Sequence, residues 1–306
     1  MHNLNKPRFI ISALLLISIT AAVFNNLDAS SVFFSATQLA ISEYLGWFVI
    51  LTANGFLIFS TFLLFTKYKN IRLGGLDASP AYSYSNWVAM LFSAGLGIGL
   101  LFYGVAEPIG NLNDYPEMIE NNVSYNAGKA LSLTNLHWGL HGWAVYASLG
   151  LCFAFSSYNK NKAFRVSSLL GESVEKNKPL AAAIDIIAIL TTVTGIATSL
   201  GLGASQINGG LDHVFDIKLN EFIIIIFITL LGLISVCLGL DAGIKRLSQL
   251  NMFIAILLLI TVLALGPTIF ILNAMVQNAG AYLNQIIQLS SWTEAYNDTV
   301  YQNGYT

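Results

Sequence analysis

Three glycines alternate in the middle of an apolar stretch, at Gly95, Gly97 and Gly99 of the segment FSAGLGIGL, residues 92–100. Each glycine costs about 1 kcal/mol of helix propensity relative to alanine, so the cluster predicts local unwinding of a helix. Unwound backbone frees carbonyl oxygens, which can bind a hard cation such as Na⁺ when they line a cavity within a membrane. Close packing of small residues against a neighbouring helix explains the same glycines equally well.

A group of aromatic residues follows in the segment HWGLHGWAVY, residues 137–146. At about 100° per residue, Trp138, Trp143 and Tyr146 fall on one arc, about 140° wide, of a continuous helix. Three aromatic rings on one face can form part of a cage for a quaternary ammonium group through cation–π attraction. A belt of aromatic residues at a membrane interface is the alternative explanation.

His137 and His141 lie four residues apart in the same segment. This spacing can bind a metal ion or a haem, but no glutamate follows the first histidine and the sequence offers no evident third ligand. We therefore predict buried histidines that form hydrogen bonds, and no metal or other cofactor. A membrane enzyme that uses both histidines as haem or metal ligands is the alternative from a different functional class.

Hydroxyl residues and glycines crowd the segment TTVTGIATSLGLG, residues 191–203, in which Thr191, Thr194 and Thr198 share one helical face. Such a face can coordinate Na⁺, or it can form hydrogen bonds with a neighbouring helix, which composition alone slightly favours. Asp185 lies near the start of the same apolar stretch. We expect it to pair with a basic residue of the preceding loop or to mark a transport pathway.

These groups belong to a chain of 306 residues that is 55% hydrophobic and only 10% charged. Soluble domains carry about 25% charged residues, so most of this surface must face lipid. Seven uncharged runs approach or exceed the roughly 20 residues that a helix needs to cross a bilayer. We predict an all-α polytopic membrane protein with spans at about 9–25, 44–66, 86–106, 130–157, 181–204, 221–240 and 249–272, and with a short acidic loop after the first span.

The basic residues predict the orientation of these spans. Of the 14 Lys and Arg residues, 12 precede the first span or follow an even-numbered one, and only Lys129 and Lys218 lie on the other side. Because cytoplasmic loops carry an excess of Lys and Arg, we expect a cytoplasmic N-terminus in a bacterial inner membrane. Residues 273–289 mix Asn and Gln with apolar residues and predict an amphipathic helix at the outer interface. The basic residues are too dispersed for binding to nucleic acid.

Three stretches in this order resemble the betaine/carnitine/choline transporter family: FSAGLGIGLLFYGVAEP at 92–108, HWGLHGWAVYASLG at 137–150 and DIIAILTTVTGIATSLGLGASQINGGL at 185–211. The likeness extends over nearly all of the chain. It implies a twelve-helix, inverted-repeat fold like that of Na⁺ symporters, in which two leading helices precede two five-helix repeats. This sequence would then hold the first seven of those transmembrane helices.

The resemblance also implies a division of the chain. Residues 1–85 would form the two leading transmembrane helices and a cytoplasmic loop, and residues 86–272 would form the first five-helix repeat, spans 3 to 7. Residues 273–306 would form the outer amphipathic helix and a truncated tail. The tryptophan-rich eighth span that completes the binding site in the family does not occur in the sequence. We therefore expect that these 306 residues do not transport alone.

Residue roles follow from the same resemblance. The aromatic cage for a trimethylammonium group maps to Trp138, Trp143 and Tyr146. Further contacts with this substrate map to Leu96, Gly97 and Gly99. Coordination of Na⁺ maps to Ser93, Gly95, Leu96, Thr194, Thr198 and Ser199. The family usually has Met at position 96, and a role of the backbone carbonyl tolerates leucine there.

The function implied by the resemblance is that of a secondary transporter, not an enzyme, which imports a quaternary ammonium solute across the cell membrane. The form of the glycine stretch at 95–99 resembles that of Na⁺-coupled betaine carriers, so we predict glycine betaine as the substrate and Na⁺ as the coupling ion. Proton-coupled choline uptake is the alternative within transport. The resemblance further implies a homotrimer in the lipid bilayer.

Overall fold

The computed structural model describes residues 5–115 and 122–296, apart from the side chains of Ala94 and Leu96. Within these residues every regular element is helical, which confirms the all-α prediction. The α-helices are α1 (Lys6–Asn25), α2 (Leu27–Phe65), α3 (Tyr84–Gly95), α4 (Gly104–Asp114), α5 (Val123–Trp138), α6 (Leu140–Ala154), α7 (Val166–Leu169), α8 (Glu172–Lys176), α9 (Lys178–Phe215), α10 (Glu221–Cys237), α11 (Lys245–Leu265) and α12 (Thr268–Leu289).

Several of these helices suit a bilayer. In the described part of the chain, α1, α2, α9 and the segment Leu240–Leu265 are long and apolar enough to cross a membrane. A fifth crossing results if Tyr84–Ser93 and Gly97–Asp114, which meet at 57°, count as one bent span. Helix α10 is apolar but has only 17 residues. The helices thus agree with a polytopic membrane protein, while the number of seven spans stays a prediction.

Packing divides the chain into two compact units. The first contains Met1–Ala78, Leu136–Thr194 and Ile287–Thr306. The second contains Ser79–Asn135 and Gly195–Ile286. Each unit therefore combines segments that are distant in the sequence.

The first unit begins with α1 and α2, which are separated only by Asn26. The Asn26 side chain accepts a hydrogen bond from the backbone N–H of Ala29 at 2.9 Å and so caps α2. The short acidic loop predicted after the first span is therefore wrong, because residues 27–43 contain neither glycine nor proline to interrupt the helix. With 39 residues α2 is about 58 Å long, and the predicted second span is its C-terminal part.

Small residues form the contact between α2 and α6 in the first unit. Ser60 Oγ and Ser148 Oγ lie 2.9 Å apart, and Ser148 also donates to the carbonyl of Phe56. Ser148 and Ala144 are buried on α6. Small side chains let two helix backbones approach closely, which is the usual basis of helix association in lipid.

The second unit uses a similar contact between α3 and α11. Ser93 Oγ lies 3.1 Å from Ser248 Oγ, and Gln249 Nε2 donates to Asn86 Oδ1 at 2.6 Å. Large apolar side chains of neighbouring helices instead point outward; on α10, Phe222 and Phe227 are exposed. A lipid environment favours this arrangement, in which small and polar residues lie between the helices and large apolar residues lie on the outer surface.

Further helix boundaries differ from the prediction, among them the end of α9, which lies at Phe215 rather than at about residue 204. The span expected at 130–157 is interrupted, because α5 ends at Trp138 and α6 begins at Leu140. The span expected to reach residue 272 ends at Leu265, and the amphipathic helix begins at Thr268 rather than at 273. Pro267 explains this last boundary, since proline lacks an N–H and disfavours helical backbone at the residue before it.

A basic loop of the first unit connects α6 with α9. Asn159 ties it to the loop after α2, since its side chain donates to the carbonyl of Arg72 at 2.9 Å and accepts from the N–H of Gly74 at 3.2 Å. Lys162 Nζ lies 2.6 Å from Glu175 Oε2, and this hydrogen bond lowers the pKa of Glu175.

Asp185 forms a buried ion pair in the first unit. Its carboxylate accepts a hydrogen bond from Arg8 of α1 at 2.5 Å and two from Ser167, through the backbone N–H and the hydroxyl, each at 3.0 Å. Asp185 is only 5% exposed. A basic partner was expected, but in the preceding loop, and that location was wrong. The partner is instead Arg8, which lies 177 residues away in the sequence. The pair fixes the start of α1 against α9.

We predict that Arg8→Ala lowers the stability of the protein by about 3–5 kcal/mol, because it leaves a buried carboxylate without its counter-ion. Thermal or chemical unfolding of purified protein in detergent measures this loss. Replacing Arg8 and Asp185 together by Met and Leu should restore most of it. Lys176→Ala is the control, since Lys176 and Glu172 are 77% and 75% exposed and their pair contributes at most about 1 kcal/mol. Equal effects of the two single variants would contradict the buried pair.

Candidate functional site

The glycine stretch lies where the helix formed by α3 and α4 changes its winding. Helix α3 ends at Gly95, and Leu96–Tyr103 form a π-helical segment before α4. The N–H of Gly104 donates to the carbonyl oxygens of Gly99 and Phe102. Local unwinding was predicted from the glycines, but the segment stays helical and is widened instead. Such π-helical segments occur frequently at functional sites.

Gly95 and Gly97 face open space. A Cβ atom added at either position would meet nothing within 4 Å in the described part of the chain. By contrast, a Cβ at Gly203 of α9 would lie 3.6 Å from the Ile98 side chain. Close helix packing therefore does not account for Gly95 and Gly97 within the second unit, and an open face beside a widened helix suits a ligand.

Side-chain amides from two other helices of the second unit hold the backbone around the glycines. Asn251 of α11 donates to the carbonyl of Ser93 at 3.4 Å, and Gln206 of α9 donates to the carbonyl of Leu101 at 2.8 Å. The sequence analysis missed both residues. An uncharged amide within an apolar helix is the signal that could have found them, because it needs a partner in lipid.

Trp143 and Tyr146 form an aromatic pair on α6. Their ring centroids lie 5.8 Å apart at an angle of 88°, so the rings meet edge to face. Both remain partly open, with exposed fractions of 37% and 48%. An edge-to-face pair leaves ring surface available for a cation.

Trp138 does not belong to the same helix as this pair. It is the last residue of α5, and Gly139 separates it from α6. The arc calculated for three aromatic residues assumed a continuous helix, so for Trp138 that geometry is wrong. The break agrees with a close approach of the two helix ends, since a Cβ atom at Gly142 would collide with the backbone carbonyl of His137.

His141 is buried and hydrogen-bonded, as predicted, whereas His137, which was also predicted to be buried, is only half-buried. Its Nε2 lies 3.0 Å from Asn54 Oδ1 of α2, and the residue is 6% exposed. His137 and His141 line a cavity of about 240 Å³ together with Asn54 and Ser290. Within the described ranges, no group of three His, Cys, Asp or Glu side chains is arranged to hold a metal ion.

Three of the four hydroxyl residues predicted for Na⁺ lie on α9, and the fourth, Ser93, lies on α3. Thr194, Thr198 and Ser199 are exposed. The Thr194 hydroxyl donates to the carbonyl oxygens of Leu190 and Thr191 at 3.0 and 3.1 Å. A hydroxyl that donates within its own helix still presents oxygen lone pairs to a cation.

The predicted site residues are divided between the two units. The first unit contains Trp138, Trp143, Tyr146 and Thr194. The second contains Ser93, Gly95, Gly97, Gly99, Thr198 and Ser199. It also contains the backbone of Leu96, whose side chain lies outside the described part of the chain. Each unit thus carries both a predicted substrate contact and a predicted Na⁺ ligand.

We predict that Gly142→Ala destabilises the protein by about 1–3 kcal/mol, because the added methyl group collides with the backbone at the break between α5 and α6. Gly150→Ala in the same helix is the matched control, since a Cβ atom there meets nothing within 4 Å. The control should be neutral or stabilising by up to about 1 kcal/mol. Unfolding temperatures in detergent compare the two, and equal temperatures would show that the close approach is not required.

The family model described as "BCCT, betaine/carnitine/choline family transporter" matches residues 7–306. "Glycine betaine transporter OpuD" of Bacillus subtilis is 43% identical over 83% of this chain and 51% of its own length. "Glycine betaine/proline/choline transporter VP1723" of Vibrio parahaemolyticus is 37% identical over 97% of this chain and 58% of its own length.

The "Ectoine/hydroxyectoine transporter" of Virgibacillus pantothenticus is 37% identical over 94% of this chain and 58% of its own length. The chain therefore spans about half the length of the curated relatives that it matches. The names of the three relatives give glycine betaine, proline, choline, ectoine or hydroxyectoine as the transported compound.

Proposed function

Because the chain belongs to the betaine/carnitine/choline transporter family, we propose that it forms part of a secondary transporter that imports glycine betaine together with Na⁺. The family assignment confirms the resemblance drawn from the three motifs. It favours a transporter over a membrane enzyme that would use His137 and His141 as haem or metal ligands. The named substrates of the relatives support a quaternary ammonium compound or a similar osmolyte.

The aromatic pair of α6 is the observation that best supports this substrate. A trimethylammonium group has no N–H and cannot donate a conventional hydrogen bond, so aromatic ring faces are its natural partners. Trp143 and Tyr146 meet edge to face and stay partly open. In the proposed site they bind the trimethylammonium group with Trp138. Leu96, Gly97 and Gly99 are further proposed substrate contacts.

The widened glycine segment supports Na⁺ as the coupling ion. Hard cations bind oxygen ligands, and backbone carbonyls of interrupted helices serve this purpose in secondary transporters. We assign one set of ligands to the segment around the start of the π-helical turn, Ser93, Gly95 and Leu96. We assign a second set to the α9 hydroxyls of Thr194, Thr198 and Ser199.

The proposed architecture contains seven transmembrane spans of an inverted-repeat fold. Residues 1–85 supply two leading helices and a loop, residues 86–272 the first five-helix repeat, and residues 273–306 the outer amphipathic helix and tail. The basic residues support a cytoplasmic N-terminus in the inner membrane of a bacterium. Transport would proceed by alternating access to a site at the middle of the membrane, within a homotrimer.

We predict that bacteria lacking other betaine carriers take up labelled glycine betaine when they express the complete transporter of which these 306 residues form part, and that replacing external Na⁺ by K⁺ abolishes this uptake. Coupling to Na⁺ makes import depend on the inward gradient of that ion. Initial uptake rates at matched osmolality measure the effect. Uptake that persists without Na⁺, or choline uptake that a protonophore abolishes, would overturn the coupling assignment.

We predict that Trp143→Ala raises the apparent KM for glycine betaine by about 2- to 30-fold, because one cation–π contact contributes about 0.5–2 kcal/mol. Trp143→Phe should retain part of the affinity. Trp47→Ala is the control, since Trp47 is an exposed residue of α2 whose ring N–H donates to the carbonyl of Tyr44 at 3.1 Å. If the aromatic residues only form an interfacial belt, Trp143→Ala and Trp47→Ala will have equal effects on KM.

A further inference from the structure

Asn54 is an amide residue in the apolar helix α2, and its side chain contacts three segments of the first unit. Its Nδ2 donates to the carbonyl of Ile50 at 3.1 Å and to the carbonyl of Ser290 at 2.5 Å. Its Oδ1 lies 3.0 Å from His141 Nε2. One side chain therefore joins α2, the segment after α12 and the first turn of α6.

These partners determine the state of the His141 ring. An amide nitrogen only donates, and both Asn54 Nδ2 hydrogens are directed at carbonyl oxygens. Asn54 Oδ1 must then accept, so His141 Nε2 carries the hydrogen and Nδ1 carries the lone pair. Nδ1 is buried and has no hydrogen-bond partner in the described part of the chain. Among the described residues that line the cavity beside it, His137 is the other titratable one.

The contact between Asn54 and His141 lies at the start of α6, which has no side-chain cap. Helix α6 begins directly after the break at Gly139, a residue that has no side chain with which to cap it. The N–H of Trp143 donates to the carbonyl of Gly139 at 3.1 Å, so the same turn sets the position of Trp143. His141 is the buried residue of this turn, and its ring is bonded to a different helix.

We propose that Asn54 is a positioning residue, which holds the first turn of α6 through His141 and thereby sets the orientation of Trp143 in the cage. Its bond to Ser290 couples this turn to the segment that follows the outer amphipathic helix. The effect on substrate affinity rests on the proposed function, whereas the effect on the backbone of α6 does not.

Asn54→Leu tests the proposal, because leucine has a similar size but forms no hydrogen bond. Ser60→Ala is the matched control, since it removes the Ser60–Ser148 contact between the same two helices and leaves Asn54 intact. We expect Asn54→Leu to raise the KM for glycine betaine at least fivefold with a smaller change in maximal rate, and Ser60→Ala to change neither. An unchanged KM in Asn54→Leu would overturn the role in affinity.

A second variant tests the contact itself and does not depend on how well Asn54→Leu folds. In Asn54→Asp a carboxylate takes the place of the amide beside the His141 ring, so uptake should become dependent on pH between about 5 and 8, where an imidazole changes its charge. Adding His141→Gln should remove this dependence, whereas adding His137→Gln should not. A flat pH profile for Asn54→Asp, or one that His137→Gln abolishes, would contradict the proposed contact.

Hydrogen–deuterium exchange of purified protein separates the inference from the proposed function. Peptides covering residues 140–147 should exchange faster in Asn54→Leu than in Ser60→Ala. Equal exchange would overturn the positioning role. If the unaltered protein neither binds nor imports glycine betaine, the proposed function is refuted. The positioning role still stands in that case, provided that exchange is faster in Asn54→Leu.

Discussion

A helix within lipid can be interrupted only where other protein groups satisfy the backbone atoms that the interruption releases, because hydrocarbon offers no hydrogen bonds. Two interruptions in the described part of this chain lie at or near the predicted substrate contacts. One is the π-helical segment Leu96–Tyr103, and the other is the break at Gly139. In each unit, residues of other helices form hydrogen bonds beside the interruption and stabilise it.

Side-chain amides contact the backbone or a side chain beside each interruption. Asn251 donates to the carbonyl of Ser93, and Gln206 donates to that of Leu101. In the other unit, Asn54 holds the first turn after the break through His141. Each amide lies on a different helix from the backbone or ring that it supports. Irregular backbone, which a substrate or an ion can approach, is thus tied to packed helices by a few polar contacts between small-residue interfaces.

Hydropathy, charge and glycine content predicted much of this arrangement. Long apolar runs predicted the helices, and the alternating glycines predicted a change of winding around Gly97. The three motifs predicted the family correctly. The failures occurred at boundaries. Helix α2 begins directly after Asn26 instead of following a loop, because a polar residue can cap a helix as well as end one. Trp138 is separated from Trp143 because one glycine breaks a helix that periodicity treats as continuous.

The sequence by itself determined the class of protein, its helical content and the residue types available for binding, since these depend on composition and local spacing. Only the tertiary structure decided which polar residues meet. Arg8 and Asp185 lie 177 positions apart, and Asn54 and Ser290 lie 236 apart. No periodicity connects such residues, because their contact results from how whole helices pack. For the same reason, packing decided that the glycine segment becomes a π-helical turn supported by neighbouring amides rather than unsupported, unwound backbone.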